Sequence, residues 1–225
     1  MKTRTLAAIL MLSLCVLLTG CTVQNIFPDS GTESRAAPDP SVLEAYRAVL
    51  RNETVFFSTD NGKHLLLQDF LGNREIYDVV FKITRFTVLD MDSDGVPEVV
   101  LELTVNDNPS FFEVMHYYNG TVYGYLFSYR GMQELKEDGV FLFSGGAADT
   151  GVGKLKFEAQ DLKTVILGYS ESRQNETDLE IVYYIEDDRV NEKAFNDFLD
   201  EQLGKKNAKW YEFSNENIEL LLSEG

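Results

Sequence analysis

Four carboxylates crowd one short run of the chain: Asp90-Met91-Asp92-Ser93-Asp94-Gly95-Val96-Pro97-Glu98. Asp90, Asp92, Asp94 and Glu98 take positions 1, 3, 5 and 9 of that run, and Gly95 takes position 6. Alternate residues of a tight loop can aim their side chains at one centre. Without a cation, two such charges ~4 Å apart repel by roughly 4 kcal/mol at an effective dielectric of 20. A hard divalent cation reverses that sign, and calcium takes about six to eight oxygen ligands. Gly95 supplies the positive φ that a sharp turn needs. The backbone carbonyl of Val96, at position 7, is a further oxygen. The chemistry these residues could do is therefore cation capture, with calcium first because every ligand is oxygen. A solvated acidic hairpin turn is the other reading, since Asp and Gly are ordinary turn formers. No base or nucleophile adjoins the run, so a held ion would be structural rather than catalytic.

The run resembles the first half of an EF-hand. More closely, it resembles the Asp-rich calcium loops between strands of FG-GAP-type and related extracellular repeats. It departs from the EF-hand in two ways. Position 12 is Leu101 rather than a bidentate Glu, and the flanks read as strands, residues 82–89 before and 99–105 after. The resemblance implies a loop geometry with Asp90, Asp92, Asp94, Val96 and Glu98 around a structural Ca2+, and no calcium-sensor function.

A second group of residues could hold an organic ligand. Asn119-Gly120 is a strong type I′ hairpin signal between two β-prone arms. A two-residue loop pairs Tyr118 with Thr121, His116 with Tyr123, Val114 with Tyr125 and Phe112 with Phe127. One face then carries Phe112, Val114, His116, Tyr118, Tyr123, Tyr125, Phe127 and Tyr129. The other carries Phe111, Glu113, Met115, Tyr117, Val122 and Leu126. Both faces are substantially apolar. Either these are central strands covered on both sides, or one face is an open aromatic platform. His116, Tyr118, Tyr123 and Tyr125 are the candidate surface for an extracellular glycan or peptide. The same residues also read as packed cross-strand pairs.

Other motifs carry less. Asp149-Thr150-Gly151 is the aspartic-protease tripeptide, but it occurs once and reads as a glycine-rich hairpin loop. Residues 145–154 fail as a phosphate loop, because Ala148 stands where a Gly should and Leu155 where Ser or Thr should. No catalytic residue is assigned. The 37 Asp and Glu residues leave open an alternative activity, a hydrolase of cell-wall polymers or glycans working through paired carboxylates.

The start of the chain addresses it. Lys2 and Arg4 precede a nearly unbroken apolar stretch, residues 6–18, too short to span a bilayer comfortably. It ends in Leu18-Thr19-Gly20-Cys21, which resembles the bacterial lipobox. That resemblance implies a signal peptide over 1–20, lipidation of Cys21, and attachment to the cell membrane on its extracytoplasmic face. The whole resembles small lipoproteins of Firmicutes-type bacteria. Cys15 leaves with the leader, so the mature chain keeps no cysteine for a disulfide, a thiol nucleophile or a Cys-type zinc site. Loss of Lys2 and Arg4 takes the formal net charge from −17 to −19. Such a surface repels nucleic acid and anionic membrane, so the membrane is held through lipid on Cys21 and not by a basic patch.

The elements that must position these residues follow in order. Residues 21–40, with Pro28, Pro38 and Pro40, read as a disordered tether. Residues 41–225 read as a single extracytoplasmic domain. Ser41 with Glu44 predicts a capping box for a helix to about residue 51. Hairpins follow, then helices capped by Asn191 and Ser214. About nine strands joined by short turns predict an α+β, β-rich class. It would be a mainly antiparallel sheet, two-layered or a partly closed barrel, with helices at both ends.

Overall fold

The structure is a computed structural model, and it describes residues 39–146, 149–174 and 178–223. The leader, Cys21 and nearly all of the tether lie outside the described residues. The fold is α+β and β-rich, built from two mainly antiparallel sheets that do not close into a barrel.

Helix α1 (Pro40–Leu50) opens the described chain. Its cap is Asp39, whose carboxylate accepts from the Ser41 amide at 2.9 Å, and not Ser41 as the capping-box pattern predicts. Pro40 explains the shift: its fixed φ and missing N–H suit the first helical position, which moves the cap one residue back. A helix this short is marginal in isolation. It is held by Val42, Tyr46, Val49 and Leu50, all buried on one face, each worth roughly 1.5–3 kcal/mol when fully buried.

The larger sheet runs β12-β3-β4-β5-β6-β1-β2. Its strands are β1 (Phe56–Ser58), β2 (Lys63–Leu65), β3 (Lys82–Leu89), β4 (Glu98–Val105), β5 (Asn108–Tyr118), β6 (Thr121–Ser128) and β12 (Tyr211–Glu212). The β5–β6 register is the one the Asn119-Gly120 turn dictates: Tyr118 faces Thr121, His116 faces Tyr123 and Val114 faces Tyr125. Both turn residues have positive φ, 48° and 84°, as a type I′ turn requires. Strand β1 joins β6 in parallel, through Phe57↔Tyr123 and Ser58↔Gly124. Two short helices follow β2, α2 (Leu67–Leu71) and α3 (Arg74–Tyr77).

The smaller sheet runs β11-β10-β9-β8-β7. Its strands are β7 (Phe141–Ser144), β8 (Thr150–Glu158), β9 (Asp161–Gln174), β10 (Leu179–Ile185) and β11 (Asp188–Val190). The described residues thus hold twelve strands rather than about nine. Strands β11 and β12 are too short to announce themselves by alternation. Asn191 and Ser214 cap α4 (Glu192–Leu203) and α5 (Asn215–Leu222), accepting from the Ala194 and Asn217 amides.

The two faces of the larger sheet are both covered. Val99, Leu101, Leu103, Met115 and Val122 pack against α1, α2 and α5. Val100, Phe112, Val114 and Tyr125 pack against Phe141, Leu155 and Phe157 of the smaller sheet. Alternation along β4 and β5 therefore sends odd residues toward the helices and even ones toward the second sheet.

Candidate metal centre and aromatic cleft

The acidic run is the connection between β3 and β4, which pair down to Leu89↔Glu98. Ser93 and Gly95 bend it with φ of 67° and 94°. Its carboxylates fold back on its own amides. Asp90 accepts from the Asp94 and Gly95 amides at 3.1 and 3.0 Å, and Asp92 Oδ1 from the Asp94 amide at 3.2 Å. The other oxygen of Asp92 accepts from the Phe157 amide of β8 at 3.0 Å, so the loop is tied to the second sheet. Glu98, 0% exposed, accepts from the Met91 amide at 2.8 Å and meets His116 Nδ1 at 3.0 Å.

Asp90, Asp92 and Glu98 each bring an oxygen within 4.8 Å of the others. Asp94 is not one of the three, and its Oδ1 accepts from the Val96 amide at 2.7 Å instead. Val96 itself is half-buried. Three carboxylate oxygens about one point are a hard donor set, and they fit a hard cation with water completing its shell. An amide bond occupies only part of a carboxylate's acceptor capacity, which leaves lone pairs for an ion. This acidic cluster could hold a metal ion.

Burial is the main force on Glu98. It pushes the carboxyl up to about 9, and the charges of Asp92 and Asp94 add to that, against the Met91 amide. Burial lowers His116. In the metal-free protein burial thus works against charge on both members of the pair. A bound divalent cation favours the ionised carboxylate and displaces its proton.

The four residues of the candidate ligand surface part company. His116 is buried, stacked on Phe157 at 4.2 Å and 9°. Tyr118 stands exposed at the hairpin tip. Tyr123 and Tyr125 line a cleft of about 660 Å³ with Phe57, Asp60, His64 and Asp161. The cleft lies between β1–β6 and the β8–β9 turn, where the Tyr125 hydroxyl donates to the Gln160 carbonyl at 2.7 Å. Phe57 and His64 escape a sequence reading because β1 reaches β6 only across a long connection. His64 offers no local motif at all.

Glu113 is the other residue that spacing alone does not assign. It is fully buried on the helix-facing side of β5, and among the described residues neither of its oxygens has a hydrogen-bond partner. Burial, then the charge of Asp60, raise it well above the usual carboxylate range. The signal was present: Glu113 is the lone acid in an otherwise apolar face. Asp149, just before β8, accepts from the Ser172 amide of β9 at 2.7 Å. Comparison with known family models, curated proteins and solved structures finds no match to the chain.

Proposed function

We propose that this chain is a lipid-anchored, extracytoplasmic binding module, not an enzyme, with calcium as a structural ion in the Asp90–Glu98 loop. The observation that carries the calcium reading is the convergence of Asp90, Asp92 and Glu98 within 4.8 Å. Calcium is favoured over softer metals because every donor is oxygen. The Val96 carbonyl, Asp94 and water are the natural further ligands. The bond from Phe157 to Asp92 gives the ion a structural task, since fastening the loop also fastens one sheet against the other. The lipobox-like Leu18-Thr19-Gly20-Cys21 supports the anchor. The Tyr123–Tyr125 cleft is the place for an extracellular glycan or peptide. A hydrolase would need two facing carboxyls in one cleft with one held up. Glu98 and Glu113, which are held up, are enclosed.

The test is thermal unfolding with and without calcium. At a hundredfold excess over Kd a ligand adds about 2.7 kcal/mol, or about 5–10 °C in Tm for a domain of this size. The double variant Asp92→Ala, Asp94→Ala should lose that increment. Equal increments in variant and wild type, or none in either, reject calcium. Palmitate labelling should vanish in Cys21→Ala, and persistent label rejects the anchor.

A further inference from the structure

We propose that the cleft between the β1–β6 edge and the β8–β9 turn binds an organic ammonium group carried on a larger molecule. This rests on the reading of the chain as a binding module and names the chemistry of its ligand. Phe57 is the centre of the wall. Its ring meets Tyr123 at 5.7 Å and 63°, and His64 at 5.2 Å and 68°. Rings set steeply to one another form the corners of a cage, and the electron-rich faces of such corners attract a cation. Tyr123 reaches this place because Phe57 is its register partner across the parallel β1–β6 pairing.

Charge selects among ligands that could stack on these rings. Asp60 and Asp161 are exposed at the cleft, and its lining includes neither Lys nor Arg. Asp60 is not a loose surface acid: its Oδ2 accepts from the Leu126 amide at 3.0 Å, which holds the carboxylate against β6. Lys163, close to Asp161 on β9, is drawn to Glu158. Aromatic walls with two carboxylates, one of them fixed, and no lining Lys or Arg disfavour an anion. Against a neutral sugar they favour a positive charge. The volume, about 660 Å³, exceeds an ammonium head alone, so the remainder of the ligand extends past Tyr125 toward Gln160.

The experiment is calorimetric titration of the full-length chain in detergent at pH 8 with choline and with 3,3-dimethylbutan-1-ol, its uncharged carbon analogue. A glycan and peptide array is run alongside. Choline should bind at least about tenfold more tightly than the alcohol, the discrimination expected of a charge over aromatic faces. Phe57→Leu, Asp60→Asn and Asp161→Asn should each weaken choline severalfold, with Tm and the calcium response unchanged. Equal binding of choline and the alcohol overturns the proposal, because the cleft then reads shape and not charge. A glycan captured on the array with no choline binding overturns the ammonium and leaves the binding-module reading standing. Silence of choline and array together overturns both.

Discussion

Glu98 and Glu113 lie on adjacent strands of one sheet, on opposite faces, and both are 0% exposed. Burial raises both carboxyls, yet their surroundings diverge. Glu98 has an amide from Met91, a ring nitrogen from His116, and two further carboxylates within reach of a common centre. Glu113 and the Phe56 ring both crowd Gly124, so closely that a methyl there would collide with Glu113 Oε1 and with the ring. Among the described residues no donor answers either oxygen of Glu113. Equal burial therefore has two outcomes. A carboxyl among other oxygens can be converted to its charged form by an ion. A carboxyl among rings and carbon stays protonated or becomes a liability.

The largest effect that sharpens this contrast is on calcium. Glu98→Gln should abolish the stabilisation of about 2.7 kcal/mol at a hundredfold excess over Kd, while Glu113→Gln keeps it. Loss in both, or in neither, breaks the comparison, and paired melts with calcium and with chelator decide it. Next is the cost of the unanswered carboxyl. Glu113→Met should stabilise the metal-free protein at pH 7 by about 1–3 kcal/mol, the penalty of a buried unsatisfied polar group. Denaturant midpoints measure it, and a destabilised variant means that Glu113 has a partner after all.

The last effect, and the smallest when read per pH unit, is the pH slope. Both glutamates bind protons more tightly folded than unfolded, so their contribution is complete below the unfolded value of 4.5 and is lost as pH rises. For Glu98 the loss ends near pH 9. Each group steepens the fall by up to about 1.4 kcal/mol per pH unit within its window. In chelator, Glu113→Met should flatten the slope in part. In calcium, Glu98 should cease to contribute, because it is ionised already. A slope indifferent to both changes would mean that neither carboxyl is protonated at neutral pH.

What was legible in the chain was local. The Asn119-Gly120 turn dictates the register of its hairpin because both residues accept positive φ. Asn191 and Ser214 are readable as caps because their oxygens need only reach three residues on. The acidic loop is readable as a cluster for the same reason. Asp94 stands outside the three converging carboxylates because its Oδ1 is turned to the Val96 amide, two residues away, and spacing is silent about such local bonds. The division into two sheets, the parallel entry of β1 beside β6 and the tie from Asp92 to Phe157 are all long-range. They depend on which surfaces meet, and no window of a few residues contains that information.

The most direct test is calorimetric titration of the full-length chain with calcium at pH 7, in two buffers of different ionisation enthalpy. The account predicts one site, with about one proton displaced from Glu98 per ion in the wild type and no binding in Glu98→Gln. A flat titration, in a protein whose melting is also unmoved by calcium, would contradict it.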